Sequence, residues 1–399
     1  MPRSPLHDEH VALGATLVDF AGWEMPVRYS GDVAEHHAVR TAAGLFDISH
    51  MGEIAVRGAD AASGLDFALA SSMSRVGIGK AKYTMLCTPE GGVIDDLIVY
   101  RRDWDHFVVV ANASNTAVVL ETLRERLAGH HAVVQDESQT VALIAVQGPL
   151  AEGIVAAMCD RGAEDVRAMG YYTWWNVVLR GDIHAMCART GYTGEDGFEL
   201  FVNAEHAVEV WRLALALGEP VGLVPCGLSA RDTLRLEAGM PLYGQELGVD
   251  RSPFAAGLGR VVQLGAGKEM LPPGPDGAVA WTAEAVERGD FVGRTSLEAA
   301  RAAHDAAVAD PENAPEDHRV LVGLVSEGKR AARPGYTVFA GDAEIGVVTS
   351  GAPSPTLGVA VAMAYVHPAS AAPGTVVDVD VRGRREQMTV TALPFYQRS

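Results

Sequence analysis

The amino-acid order predicts an α+β protein. Short strands and helices are mixed without the strict strand–helix–strand alternation of a doubly wound sheet. Pro- and Gly-containing turns separate β-rich runs, as hairpins require. From Arg319 onward the runs are short and regularly spaced by glycines, the pattern of a small β-barrel.

Taken in order, residues 32–40 have the spacing of a short helix, followed by a turn at Ala43-Gly44. Ile54-Ala55-Val56 is a strand, and 59–70 is a helix with Leu65 and Leu69 on one face. A meander comes next: strand 82–87, the turn Thr88-Pro89-Glu90-Gly91-Gly92, strand 93–100, the turn Asp103-Trp104-Asp105, and strand 106–111. Residues 116–127 make an amphipathic helix. Strands 131–134 and 141–146 precede Gly148-Pro149, and 171–179 with 184–189 form a hairpin across Gly181-Asp182. Strand 198–202 and helix 207–217 are followed by helix 229–237, which Gly239 and Pro241 stop. The Gly- and Pro-rich stretch 265–289 reads as an inserted loop. Residues 299–317 read as a linker or a solvated helix. The barrel closes with Met388-Thr389-Val390-Thr391. The resulting division is 1–264 as one module of two intertwined α+β subdomains, 265–318 as insertion and linker, and 319–399 as the barrel; no internal repeat is evident.

Composition limits the function classes. A 399-residue chain with 48% hydrophobic and 21% charged residues can bury a large core without disulfides. Its formal net charge of -19 argues against nucleic acid and anionic membrane surfaces, yet a few local arginines can still receive a small anion. Cys87, Cys159, Cys187 and Cys226 are scattered without zinc spacing, so four reduced thiols are expected. The first ten residues contain no apolar signal region, and no apolar run approaches the length of a membrane span. A cytoplasmic location is expected.

Two adjacent aspartates stand in the apolar run Gly92-Val93-Ile94-Asp95-Asp96-Leu97-Ile98-Val99-Tyr100. A strand places neighbours on opposite faces, so whichever face is buried receives one carboxylate. Lone buried acids are rare unless paired. Either one acid is solvated and the other pairs with an arginine, or one is aimed into a substrate pocket. His36 and His37 diverge on a helix and do not serve one metal. Gly191-Tyr192-Thr193-Gly194-Glu195-Asp196-Gly197 is a glycine-supported turn and neither a P-loop nor a dinucleotide fingerprint. Glu199 is a second acid within an apolar strand, and Arg231 and Arg235 share a helix face. That face is suited to surface ion pairs. Near a pocket, an acid and an arginine suit the donors of an amino-pyrimidinone ring and the carboxylates of a glutamyl tail.

Six segments occur in a telling order: Phe46-Asp47-Ile48-Ser49-His50-Met51, the 92–100 run, Ala145-Val146-Gln147-Gly148-Pro149, the 191–197 turn, the 230–239 helix end, and Val348 to Gly358. Over nearly its whole length the chain resembles the T-protein family of the glycine cleavage system. The resemblance implies a three-domain, ring-like folate-binding fold around a central channel. It places Asp96 at the essential carboxylate and implies that Asp95 matters much less. It puts Glu199 and Arg231 at folate-contacting positions, and Met51, Tyr83, Asn112 and Tyr192 in the folate pocket, with Arg398 in the tail closing it. The implied reaction takes an aminomethyl group from the dihydrolipoyl arm of H-protein, releases ammonia and gives 5,10-methylenetetrahydrofolate. Tetrahydrofolate serves as co-substrate, with no metal and no flavin. Lipoylated H-protein is the direct partner; glycine decarboxylase and dihydrolipoamide dehydrogenase are indirect ones. The alternatives on the same fold are a folate-dependent demethylase and a non-enzymatic folate-binding iron–sulfur assembly factor. The latter carries a cysteine where this chain has Gly191.

Overall fold

The computed structural model describes residues 1–274, 276–326, 328 and 330–398. Two sheets lie face to face, each covered on its outer side by helices. The first is a five-stranded antiparallel sheet in the order Ala81–Cys87, Val93–Asp103, His106–Ala111, Gly52–Arg57, Val133–Asp136. Alternation along Val93–Asp103 sends Leu97 and Val99 outward against Leu65, Val119 and Leu123 of the helices Ala61–Ala68 and Thr116–Leu127. It sends Asp96, Ile98 and Tyr100 inward.

The second sheet has seven strands, in the order Cys159–Arg161, Trp174–Leu179, Ile183–Ala188, Gly197–Asn203, Val141–Gln147, Ala43–Asp47, Leu223–Pro225. Only its last pair is parallel among the described residues. Phe198 and Leu200 point outward to Trp211 and Ile154 on the covering helices, while Glu199 and Phe201 point inward. Between the sheets Tyr100, Val108, Phe46, Ala145 and Leu234 form a shared core. One end of that interlayer stays open and holds the candidate site.

The Ala43-Gly44 turn is corrected: both residues lie in the buried strand Ala43–Asp47. A Cβ on Gly44 would sit 2.5 Å from Val39 and 2.7 Å from Cys226, so this glycine permits a close approach rather than a turn. The insertion is not a free loop. Arg75 donates to the carbonyls of Gly265 and Val286, and buried Arg288 donates to those of Asp66, Leu69, Ala70 and Gln263. Of the stretch 299–317 read as a linker or solvated helix, residues 299–309 belong to the helix Arg294–Ala309, and Pro311–Asn313 form a separate helical turn.

Six strands close the C-terminal barrel in the order Val320–Ser326, Ala360–Val366, Ala343–Pro353, Thr337–Ala340, Val376–Asp380, Arg385–Thr391. The barrel seats on the helix Leu228–Glu237 through buried charge. Arg235, for which surface ion pairs are one reading, is buried, though it also meets the exposed Asp232 carboxylate at 2.8 Å. It meets Glu246 at 3.2 Å and donates to Ser350 Oγ at 2.8 Å, where a register shift bulges the barrel strand. Glu237 accepts from Ser354 Oγ at 2.5 Å and Thr356 Oγ1 at 2.7 Å, and meets Arg40 at 2.8 Å and His36 at 3.1 Å. His36 is thus a packed histidine, while His37 is exposed. Burial pushes the Glu237 carboxyl up, but its bonds to His36, Ser354 and Thr356 outweigh this and hold it at about 2.

Candidate active site

A cavity of about 560 Å³ opens between the two sheets and under the stretch from Gly239 to Leu258. That size suits a small organic ligand. Seven of the eight residues expected at the site line it: Met51, Tyr83, Asp96, Asn112, Tyr192, Glu199 and Arg231. Tyr83, Asp96 and Glu199 come from strands of the two sheets, Met51 and Asn112 from the strand ends, Tyr192 from the turn 191–197 and Arg231 from the helix Leu228–Glu237. The barrel supplies no lining residue among those described; it supports the wall from behind, through Arg235 and Glu237.

Asp96 Oδ2 accepts from the Tyr83 hydroxyl at 3.0 Å, and Oδ1 accepts from Asn112 Nδ2 at 2.9 Å. A carboxylate has about four acceptor positions, so two bonds fix its orientation and leave capacity toward the cavity. Burial raises the Asp96 carboxyl above the ordinary range, while the bonds from Tyr83 and Asn112 pull it back.

Among the described residues neither acid pairs with an arginine. Asp95 is fully buried on the opposite face of the strand. It accepts from the Asn112 backbone N–H at 3.0 Å, Asn112 Nδ2 at 2.9 Å and Asn115 Nδ2 at 2.7 Å. Burial, and secondly the charge of Asp96, push its carboxyl up to about 7. The single amide of Asn112 therefore bridges the two carboxylates. Asp95 thus acts on Asp96 indirectly, by holding the residue that orients it.

On the facing sheet Glu199 is 8% exposed and accepts from the Tyr100 hydroxyl at 3.1 Å and from Thr190. Arg231 lies over the Tyr192 ring, 5.0 Å from its centroid. Among the described residues no acid or carbonyl takes its guanidinium N–H groups, which leaves a planar fork at the cavity wall. The Tyr192 hydroxyl donates to the Pro241 carbonyl, fixing the ring below that fork.

Arg398 is placed elsewhere. It does not line the cavity but pairs with Glu195, which also meets Arg40 at 3.1 Å. Tyr396 stacks beneath Arg40 at 4.1 Å. The tail thus closes over the charge network that seats the barrel.

Three lining or supporting residues escaped the sequence reading. His50 lines the cavity with a buried Nδ1 that has no partner among the described residues, and burial followed by the charge of Arg231 lowers its imidazole to about 4. Its signal was present, since it belongs to the 46–51 segment. Tyr172 lines the wall and Asn115 holds Asp95, with no pattern to mark either.

The glycine-supported turn also has a reason. Gln147 lies between Gly191 and Gly197: a Cβ would come within 2.0 Å of its side chain from the first and 2.3 Å from the second. Its amide donates to Thr190 O at 3.1 Å and accepts from Thr193 Oγ1 at 3.0 Å.

Between the two facing sheets the cleft thus holds an oriented carboxylate, a second buried acid, an unengaged guanidinium fork and an apolar floor, with the barrel seated behind. Comparison with known proteins gives the family. The family model described as the GCVT N-terminal domain matches residues 6–266, and that of the glycine cleavage T-protein C-terminal barrel domain matches 319–397. An aminomethyltransferase of Streptomyces coelicolor is 53% identical over 397 residues, covering 99% of this chain and 98% of that protein. One from Moorella thermoacetica is 42% identical, covering 100% of this chain and 98% of that protein. The crystal structure of glycine cleavage system aminomethyltransferase T from Bartonella henselae superposes with a TM-score of 0.83 at 32% identity, covering 99% and 98% of the two chains. The chain belongs to the glycine cleavage T-protein family of aminomethyltransferases.

Proposed function

We propose that this protein moves the one-carbon unit of aminomethylated, dihydrolipoyl-bearing H-protein to tetrahydrofolate, releasing ammonia and free dihydrolipoyl thiol. The observation that carries the reading is Asp96: a cavity-facing carboxylate, oriented from both sides, in a chain of this family. The residues fit such a co-substrate. Glu199 offers a carboxylate to ring N–H donors, Arg231 offers an unengaged fork to a carboxylate, and Met51, Ile98, Val110 and Leu143 supply apolar wall. Tetrahydrofolate, when bound, supplies the nitrogens that take up the carbon. Asp96 stabilises positive charge developing at the transferred carbon or holds a proton beside it. Tyr83 and Asn112 keep it aimed, and the stacked Tyr192 orients Arg231.

Lipoylated H-protein is the proposed partner, with glycine decarboxylase and dihydrolipoamide dehydrogenase acting on it in turn, in the cytoplasm. No helix among the described residues is long and apolar enough to cross a membrane. We retain 1–264, 265–318 and 319–399 as the proposed division of the chain. The test of function is ammonia release from aminomethylated H-protein with and without tetrahydrofolate. Rapid release only with tetrahydrofolate supports the reading; turnover of methylated substrates without H-protein points to a demethylase instead.

Two predictions belong to this site. Glu199→Ala and Arg231→Ala should each weaken tetrahydrofolate binding by about 1–3 kcal/mol, the worth of a charge-assisted hydrogen bond. Calorimetric titration decides, and unchanged affinity in both variants removes them from recognition. Tyr83→Phe should move the acid limb of the rate profile upward in pH. The hydroxyl favours the ionised form of Asp96, so its loss raises the carboxyl further. Profiles of kcat for both proteins provide the comparison, and coincident limbs would separate Tyr83 from Asp96.

A further inference from the structure

Four arginines converge on the barrel, away from the candidate active site. Arg330, Arg333, Arg382 and Arg384 line a groove of about 460 Å³ together with Tyr336, Pro353 and Val381. The chain as a whole carries a net charge of -19, so such a concentration of guanidinium groups is locally opposite to the global field. Only one acid engages the set among the described residues: Glu386 meets Arg330 at 2.9 Å. Arg333 donates to the Gly351 carbonyl at 3.2 Å. Arg382 and Arg384 have no carboxylate partner among the described residues, and Asp380 is occupied by the Gly383 backbone N–H at 2.6 Å.

Backbone geometry supplies a second, independent observation. Arg382 and Gly383 form the two-residue turn between Val376–Asp380 and Arg385–Thr391, with φ of 56° and 81°. Val381 and Arg384 exchange backbone hydrogen bonds across it. A turn with both central φ values positive favours Asn or Asp before the glycine, and a long side chain there is disfavoured. Residues held in such a conformation cluster where the side chain has a use. The next arginine is different: Arg385 stacks on Phe339 and does not line the groove.

We propose that this groove is a binding site for a small polyanion with closely spaced oxyanions. Planar guanidinium forks match both carboxylate and phosphate oxygens in pairs. Two sources share this chemistry, an oligo-γ-glutamate chain and a polyphosphate group. At physiological salt, charges beyond roughly 8–10 Å are screened, so the four arginines, offset only by the nearby Glu386 and Asp380, outweigh the distant acids in the groove. The assignment is independent of the reaction proposed for the main cavity.

The experiment titrates the full-length protein with inorganic pyrophosphate in one arm and tri-γ-glutamate in the other. It then repeats both with R382N/R384Q. Asparagine suits the left-handed turn position, so the variant should melt no lower than the parent while losing two charges. The expected result is saturable, salt-sensitive binding of at least one probe, weakened about tenfold or more in the variant at an undiminished melting temperature. The tighter probe identifies the source. If neither probe saturates, or the variant binds as the parent does, the site does not exist. If R382N/R384Q instead raises KM for aminomethylated H-protein while the parent binds neither probe, the arginines contact a protein surface and the small-anion assignment is overturned. Should the variant melt lower, R330A/R333A repeats the titration without touching the turn, and undiminished binding there also overturns it.

Discussion

Asp96→Asn should leave tetrahydrofolate binding and the melting temperature close to those of the parent and reduce transfer by roughly 10²–10⁴-fold, the usual cost of losing a positioned acid or base. The asparagine keeps a carbonyl toward Asn112 and sets its amide against the Tyr83 hydroxyl, which accepts as readily as it donates. What disappears is the charge at the cavity wall. Asp95→Asn provides the contrast. With its carbonyl kept toward the Asn112 and Asn115 side-chain amides, its new N–H group would face the Asn112 backbone N–H, and the flipped amide would face both side-chain amides instead. It should lower stability by about 1–3 kcal/mol, as a buried polar mismatch does, and slow transfer only through a displaced Asn112. Steady-state assays and thermal melts of both proteins separate the two. Near-normal turnover by the Asp96 variant would remove it from the chemistry.

Arg40→Met should destabilise the protein by about 3–5 kcal/mol, because it leaves two buried carboxylates, Glu195 and Glu237, without the cation they share. The loss should fall on the seating of the barrel and tail, so limited proteolysis near the barrel is expected to precede global unfolding. Acid adds a signed check. Glu237 sits at about 2 in the folded protein against an ordinary 4.5. A depressed carboxyl stabilises the fold fully above its unfolded value, and that contribution fades as pH falls through its folded one. The stability difference between the parent and Glu237→Gln should therefore be constant above pH 4.5 and shrink as pH falls toward 2. Denaturant titrations across that range measure it. A difference that does not change with pH would mean Glu237 contributes through shape and not charge.

Much of this architecture was readable because strands and helices carry their period in the order of residues. The helix read over 116–127 is Thr116–Leu127, and the meander that holds Asp96 appears with its turns in place. Alternation also placed Asp95 and Asp96 on opposite faces. It could not reveal that both faces are covered, one by helices and the other by a second sheet, because burial on two sides is a property of packing. Local pieces without a period escaped: the six-residue helix His7–Ala12, the hairpin of Thr16–Phe20 with Trp23–Arg28, and the helix Ala151–Met158. Arg235 and Arg398 failed for a tertiary reason. Their partners Glu246, Ser350 and Glu195 lie far from them in the chain or on another element, so no spacing could announce them. At the site itself the charged residues stood out against apolar strands, whereas His50, Tyr172 and Asn115 had no such contrast.

The wedge of Gln147 between two glycines restricts the order in which this chain can change over generations. Conversion toward the cysteine-bearing relatives requires a side chain at position 191, yet its first carbon would meet the Gln147 amide at 2.0 Å, and Gly197 blocks retreat on the other side. The amide cannot simply swing away, since Thr190 and Thr193 hold it. A shorter residue at 147 therefore eases the arrival of the thiol. The reverse order costs the Gln147 amide its bonds to Thr190 and Thr193, so a library that varies 147 and 191 together should recover more side chains at 191 than one that varies 191 alone.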